Sequence, residues 1–278
     1  MLDSPVGAVV AASALEPTVA LLERLDLTVT ALGSLPPSLY GGPGRWADLA
    51  SASRGTVRVV EVPGPAVRRG PFDGGPAALD LYSRDLQRSL DLACTGHGPR
   101  VRIELGPLVM HQVRLQGPDG LPVVLIDASS RRPSRLDDQP QVLHSEVHSL
   151  VWVVPSIDEA LPLFTAAGLV VAFDLPLTSA AVSEVMGLPR PDVPIRMAML
   201  SDAVQRPMRL ELFEFPSDTG DPFDPTPAAG TVWPVFEVAD LPAALTLPWT
   251  ERGEAVEVAG RAVSRCVAPG GVVVELWS

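Results

Sequence analysis

The sequence contains no lysine, and all 21 of its basic residues are arginines. This absence excludes enzymes that form a Schiff base with lysine and P-loop proteins that hold phosphates with lysine. Cysteine is scarce too, because only Cys94 and Cys266 occur and no CxxC motif joins them. A disulfide framework and a thiolate zinc site are therefore not expected. The scarcity of cysteine instead predicts a reducing, cytoplasmic location.

Positive charge is also in short supply, since 33 acidic residues give a net charge of −12. An acidic surface repels phosphate backbones and anionic lipids, so we expect neither nucleic acid nor a membrane as partner. No run reaches the roughly 18 apolar residues of a membrane span. Asp3 stands where a signal peptide would carry a basic residue, so the apolar start predicts a buried strand. The GxGxxG, Walker, GxSxG and HExxH motifs are missing, so no nucleotide cofactor is expected.

A repeated pattern runs through the chain, while 30 prolines and 23 glycines lie mostly between its units. Each unit has a strand, a stretch with helical spacing such as Ile157, Leu161 and Phe164, and then further strands. The closing strands are introduced by glycine or proline and occupy residues 54–64, 117–127, 206–216 and 268–278. The pattern predicts four modules of strand, helix and several strands.

The best domain boundary is the connector ASSRRPSRLDDQPQ (128–141), which is polar, charged and contains proline. It divides the chain into two predicted domains of two modules each, 1–130 and 142–278. The arginines of this connector are interpreted as solvated rather than as part of a binding patch. Pairing of modules between the two halves remains an alternative.

Three segments carry a family resemblance: HSLVWVVPSIDEALPLFTAAGL (148–169), GPDGLPVVLID (117–127) and APGGVVVELWS (268–278). On these segments the chain resembles the vicinal oxygen chelate superfamily, which includes glyoxalase I, bleomycin-resistance proteins and extradiol dioxygenases. The resemblance implies an α+β, glyoxalase-like fold of four βαβββ modules that form two curved-sheet domains. It also implies that the first and closing strands of each module supply metal ligands around a cleft.

The resemblance assigns its metal positions to definite residues of this chain. In the first domain the assigned positions are Gly7, Glu61, Ala78 and Val124, which predicts that no metal binds there. In the second domain they are His148, Glu211, Trp233 and Glu275. The indole of Trp233 has no lone pair to give, so His148, Glu211 and Glu275 are the implied ligands of Fe, Mn, Ni or Zn. Glu211 and Glu275 are also the expected catalytic proton carriers.

Strand alternation suggests which side chains accompany these ligands. Trp152 falls on the face of His148, and Arg209 and Phe213 fall on the face of Glu211. Together with Trp233, these three residues are expected to contact a small, largely apolar organic substrate of secondary metabolism. Each candidate also has an ordinary structural interpretation, such as a strand-edge histidine or a solvated carboxylate.

Three functions are compatible with the sequence. One is a metal-assisted isomerase, lyase or ring-opening dioxygenase; another is a metal-free cyclase or isomerase; the third is a non-catalytic protein that sequesters a drug or metabolite. A joint zinc site of His144 and His148 is rejected, because on a strand they lie about 13 Å apart at ~3.3 Å per residue. The protein is expected to be a monomer or a homodimer.

Overall fold

The computed structural model describes residues 2, 5–36, 38–51, 55–105, 108–128, 131–205, 207–218 and 220–278. Some residues named in the sequence analysis lie outside these ranges. They are Asp3 near the start of the chain, Ser129 and Ser130 in the predicted boundary, and Arg206 in the third closing segment. None of the helices in the described ranges is long and apolar enough to cross a membrane.

The first half of the chain contains two segments with the order strand, helix, three strands. The first segment comprises β1 (Pro5–Ala12), α1 (Leu15–Arg24), β2 (Thr28–Leu35), β3 (Gly44–Ala50) and β4 (Thr56–Glu61). The second comprises β5 (Gly75–Ser83), α2 (Leu86–Ala93), β6 (Val101–Leu105), β7 (Leu108–Gln116) and β8 (Pro122–Ala128). The apolar start of the chain is thus a strand, as the sequence predicts, and it is buried along most of its length.

The second half follows the same order with additions. The third segment comprises β9 (His144–Val153), α3 (Ile157–Ala166), β10 (Val170–Thr178), α4 (Ala180–Met186), β11 (Pro194–Ser201) and β12 (Arg209–Glu214). The fourth comprises β13 (Val232–Glu237), α5 (Leu241–Ala244), β14 (Glu251–Arg252), β15 (Val256–Val258), β16 (Arg261–Val267) and β17 (Val273–Trp277). Side-chain caps start the three helices α3, α4 and α5, as where Ser156 accepts the amide of Glu159.

Two curved sheets contain the strands of the described ranges, and each draws on both halves of the chain. The outer sheet joins the first and fourth segments in the order β14-β16-β17-β13-β1-β4-β3-β2, with β15 beside β16. The inner sheet joins the second and third segments in the order β10-β11-β12-β9-β5-β8-β7-β6. The expected α+β fold with two curved sheets is confirmed. The expected boundaries, 1–130 and 142–278, are not the division between the sheets, because β1 pairs with β13 and β5 pairs with β9.

One large apolar core connects the two sheets with helices α1, α2, α3 and α5. It includes Val9 of the outer sheet and Leu150 and Leu212 of the inner sheet. The Phe164 ring of α3 stacks on Phe236 of β13 at 6.1 Å between centroids. A second apolar cluster covers the other face of the inner sheet, and this is the face that carries the candidate site.

A buried polar network ties three of the segments together. His144 at the start of β9 lies 3.0 Å from the Asp26 carboxylate through Nδ1 and 2.8 Å from the Ser89 hydroxyl through Nε2. Asp26 also accepts the backbone amide of Leu143. Burial lowers the pKa of His144. Ser89 and His144 are fully buried, so this serine, histidine and aspartate hold the segments together rather than meet a substrate.

Candidate functional site

A cavity of about 530 Å³ lies on the second apolar face of the inner sheet. Strands of both the second and third segments form its walls, and α4, an extra helix of the third segment, contributes Val182, Val185 and Met186. The larger apolar side chains that line it are Met110, Phe173, Met186, Met197, Met199 and Phe213. Its volume and apolar lining are those of a small-molecule site.

An extra residue in β9 gives this cavity its polar end. Asp80 pairs with Ser149, but the next residue of β5, Leu81, pairs with Val147, so His148 has no partner of its own in β5. Such a β-bulge breaks the alternation of side chains and re-aims them. Consequently His148 and Ser149, although adjacent, both reach the same face: His148 lines the cavity, and Ser149 bonds the cavity residue Asp80.

Two carboxyl groups share the hydroxyl of Ser149. This hydroxyl donates to Asp80 Oδ2 at 2.8 Å and also contacts Glu211. Burial raises the pKa of Asp80 well above its ordinary value, and the neighbouring Glu211 raises it further. Burial also raises the pKa of Glu211. A serine hydroxyl has one proton to donate, so it can donate to only one of the two carboxyls. It bonds both carboxyls when the other one is protonated and donates to the serine oxygen.

A buried arginine fixes the state of His148. Arg209 Nη1 donates to His148 Nδ1 at 2.7 Å, and the guanidinium also donates to the backbone carbonyls of His148 and Gln205. A guanidinium can only donate, so Nδ1 accepts and the proton of the neutral ring is on Nε2. Burial, then Arg209 and Arg132, lower the pKa of His148 well below its ordinary value. The ring also stacks on Tyr82 at 4.3 Å between centroids, so its orientation is defined on two sides.

Two arginines of the 128–141 connector, Arg131 and Arg132, also line the cavity. The backbone amide of Arg132 donates to the Tyr82 hydroxyl at 3.3 Å, and its guanidinium donates to Gln205. These two arginines therefore lie at the candidate site, although the sequence analysis interprets them as solvated residues outside any binding patch. The charge of Arg132 acts on Glu211 and lowers the pKa of that acid, against the larger opposite effect of burial.

Glu275 lies elsewhere, enclosed in the outer sheet. One of its oxygens accepts from the Tyr40 hydroxyl at 2.6 Å and from Trp233 Nε1 at 2.9 Å, and the other accepts from Trp277 Nε1 at 2.9 Å. Arg58 lies 4.2 Å from the ring centroid of Trp277. Glu275 is fully buried and does not line the cavity. Aromatic side chains thus surround Glu275, to which the resemblance assigns a metal.

The four expected substrate contacts have different outcomes. Phe213 lines the cavity. Arg209 lies behind His148 rather than at the cavity wall. Trp152 is fully buried in the large core, edge-on to Phe223 at 5.0 Å, because the bulge places Trp152 and His148 on opposite faces. Trp233 belongs to the outer sheet and bonds Glu275.

The proposed metal ligands His148, Glu211 and Glu275 are not brought together, because Glu275 belongs to the other sheet. No group of three His, Cys, Asp or Glu side chains in the described ranges is arranged to hold a metal ion. The chemistry of the donors agrees: the Nδ1 lone pair of His148 is engaged by Arg209, and Nε2 carries the proton. The remaining donors are two carboxyls, Asp80 and Glu211, beside arginines. A divalent ion therefore does not fit this site.

Sequence reasoning missed Asp80, Ser149, Tyr82 and Arg132. Asp80 is the most informative omission, since an acid between Leu79 and Leu81 in a strand shares a face with Ala78, the position assigned to a metal ligand. Reading two residues further along the same face would have found it. The bulge that brings in Ser149 leaves no comparable mark in the sequence.

Comparisons with solved structures identify the fold. Glyoxalase I from Zea mays superimposes with a TM-score of 0.66 at 15% identity, covering 99% of this chain and 92% of that one. A "putative dioxygenase" from Bacillus subtilis superimposes with a TM-score of 0.68 at 11% identity, covering 99% and 86%. No family model and no curated protein sequence matches the chain. The chain therefore shares its fold with these two proteins, which is the glyoxalase-like fold that the resemblance predicts.

Proposed function

We propose that the protein is a metal-independent enzyme that binds a small, largely apolar organic molecule in the inner-sheet cavity and moves a proton on it. The observation that carries this proposal is the chain Asp80–Ser149–Glu211 at the polar end of an otherwise apolar cavity. Buried acids with raised pKa values are typical of general acid–base catalysis. The fold, which glyoxalase I shares, is compatible with an enzyme.

The residues divide into proton carriers and a fixed donor. Glu211 lines the cavity and can take a proton from a bound molecule, and Ser149 connects it to Asp80, which can release or store one. His148 offers Nε2–H, held in place by Arg209 and Tyr82, to an oxygen of the ligand. A donor fixed in a low-dielectric site stabilises charge that develops on such an oxygen. Isomerisation by proton transfer is the reaction type that these groups serve.

The test uses α-tetralone, an apolar bicyclic ketone whose carbon next to the carbonyl carries exchangeable hydrogens. We expect the protein to accelerate incorporation of deuterium from D₂O at that carbon, followed by NMR, and the rate to be unchanged after dialysis against EDTA. Glu211→Gln and Asp80→Asn are expected to remove the acceleration. The matched controls are Glu214→Gln, three residues along the same strand, and Asp127→Asn in β8, neither of which lines the cavity.

Two results would overturn the proposal. Exchange that requires an added divalent ion would restore a metal mechanism. Exchange that is equal in Glu211→Gln and in the protein itself would remove the acids from the reaction.

A second candidate is a binding protein without catalysis. Four of the six methionines of the chain line the cavity, and methionine makes adaptable apolar surfaces that accept several ligands. Binding of α-tetralone, seen as a rise in melting temperature, with no exchange above the buffer rate would favour this candidate.

A further inference from the structure

The polar end of the cavity offers a ligand both hydrogen-bond donors and an acceptor. The donors are the Nε2–H of His148 and the hydroxyl of Tyr82, whose oxygen already accepts the amide of Arg132. The acceptor is the carboxyl of Glu211. All of these side chains line the cavity. A ligand group that can only accept, or only donate, leaves part of this set unpaired, and an unpaired buried polar group is costly.

Charge narrows the choice of ligand. The polar end carries charges of both signs. A carboxylate or phosphate would be attracted to Arg132 but would place a further negative charge beside Asp80 and Glu211, where the low dielectric strengthens repulsion. An ammonium group would be attracted to Glu211 but would also lie beside the Arg132 guanidinium and the His148 N–H, neither of which can accept a hydrogen bond. The polar group that suits the site is therefore uncharged, accepts from His148 and donates to Glu211.

We propose that the ligand is an uncharged, flat apolar molecule whose polar end is a hydroxyl on an unsaturated carbon, that is, a phenol or an enol. This inference rests on the proposed function and specifies its ligand. Such a hydroxyl is more acidic than that of a saturated alcohol and makes a stronger hydrogen bond to the Glu211 carboxylate. The proton can pass to Glu211, breaking the ligand O–H bond and forming a carboxyl O–H, while His148 and Arg132 stabilise the ligand oxygen.

The cavity walls agree with a flat apolar body. Phe173 and Phe213 supply ring surfaces. Met199 pairs with Phe173 and Met197 pairs with Phe213 on neighbouring strands, so methionines that adapt to a ligand extend the same wall. His148, Glu211 and Arg132 lie close together in this lining and form its charged end. The ligand hydroxyl therefore determines how the ligand is oriented in the cavity, and the apolar walls select the shape of the ligand body.

The experiment compares four probes with one naphthalene body by isothermal titration calorimetry. They are 2-naphthol, 2-methoxynaphthalene, 2-naphthoate and 2-naphthylmethylammonium. We expect 2-naphthol to bind at least tenfold more tightly than its methyl ether, which lacks the donated proton, and both charged probes to bind more weakly still. In Glu211→Gln the preference for the naphthol over its ether is expected to fall below threefold, whereas Glu214→Gln keeps it. Melting curves of both variants check that they are folded.

Each other outcome has a definite meaning. If the ether binds as well as the naphthol, the hydroxyl inference is wrong, while deuterium exchange into α-tetralone still decides the proposed function separately. If 2-naphthoate or the ammonium probe binds most tightly, the site recognises an ion and the inference is wrong. If no probe binds, both the inference and the small-molecule site are refuted.

Discussion

Replacement of Glu275 by glutamine tests whether this acid supports the outer sheet rather than a reaction. Its two oxygens receive three buried donors, from Tyr40, Trp233 and Trp277. An amide has one acceptor oxygen, and its NH₂ group must face at least one of those donors. At least one buried O–H or N–H then loses its acceptor, although the volume of the side chain is almost unchanged.

The expected loss of stability follows from these three contacts. A buried donor left without an acceptor costs about 1–3 kcal/mol, and the other two bonds each weaken by about 1 kcal/mol when a charged acceptor becomes neutral. We therefore expect Glu275→Gln to lower the free energy of unfolding by about 3–5 kcal/mol. This corresponds to a fall in melting temperature of roughly 10 °C for a protein of this size.

Urea unfolding followed by tryptophan fluorescence measures this loss. The control is Glu237→Gln in β13, whose side chain is 52% exposed and paired with Arg261 at the surface; a change below about 0.5 kcal/mol is expected there. Deuterium exchange into α-tetralone should survive in folded Glu275→Gln, because the cavity belongs to the inner sheet. A loss of stability no larger than that of the control, or a loss of exchange with stability intact, would refute the reasoning.

Three further predictions concern the cavity. Burial and Glu211 raise the pKa of Asp80 well above its ordinary value of 3.8, despite the nearby Arg114 and Ser149. Its contribution to stability is therefore complete below pH 3.8 and is lost as pH rises through the folded-state pKa. Asp80→Asn should gain stability relative to the parent as pH rises above 3.8 in urea unfolding, and parallel curves would contradict this. Arg209→Met removes a positive neighbour of His148 and should therefore raise the pKa of His148, which ¹⁵N NMR titration measures. An unchanged titration of His148 would show that Arg209 does not set the state of this histidine. Met199→Trp fills the cavity and should reduce the rate of deuterium exchange into α-tetralone at least tenfold. Overpacking should also lower the free energy of unfolding by about 1–3 kcal/mol. An unchanged exchange rate would place the reaction outside the cavity.

Local patterns in the sequence predicted the elements well. The spacing of Ile157, Leu161 and Phe164 indicated α3, and the apolar run from Val6 indicated β1, because both depend on neighbours in the chain. The partner of β1 depends instead on contacts more than 200 residues away, and nothing in its apolar side chains distinguishes β5 from β13. Because β1 pairs with β13, Glu275 and His148 lie in different sheets. The predicted metal cluster of His148, Glu211 and Glu275 is therefore not formed.

The candidate site was predicted only in part, for a similarly local reason. His148 and Glu211 were identified and both line the cavity. Alternation from His148 placed Trp152 on the wrong face, because one extra residue in a strand reverses the orientation of every side chain beyond it. Alternation within β12 placed Phe213 correctly, since no bulge lies between Glu211 and Phe213 in its pairing with β9.

The pairing of β1 with β13 also determines when each sheet can form during synthesis. Val9 pairs with Trp233, so β1 leaves the ribosome roughly 10–45 s before its neighbour at about 5–20 residues per second. The inner sheet is complete by Glu214 and can close around its cavity in that interval. The nascent first segment meanwhile exposes an unpaired strand edge, which is a hazard for aggregation. Chaperone binding to nascent chains should therefore concentrate on β1 and end when the fourth segment emerges.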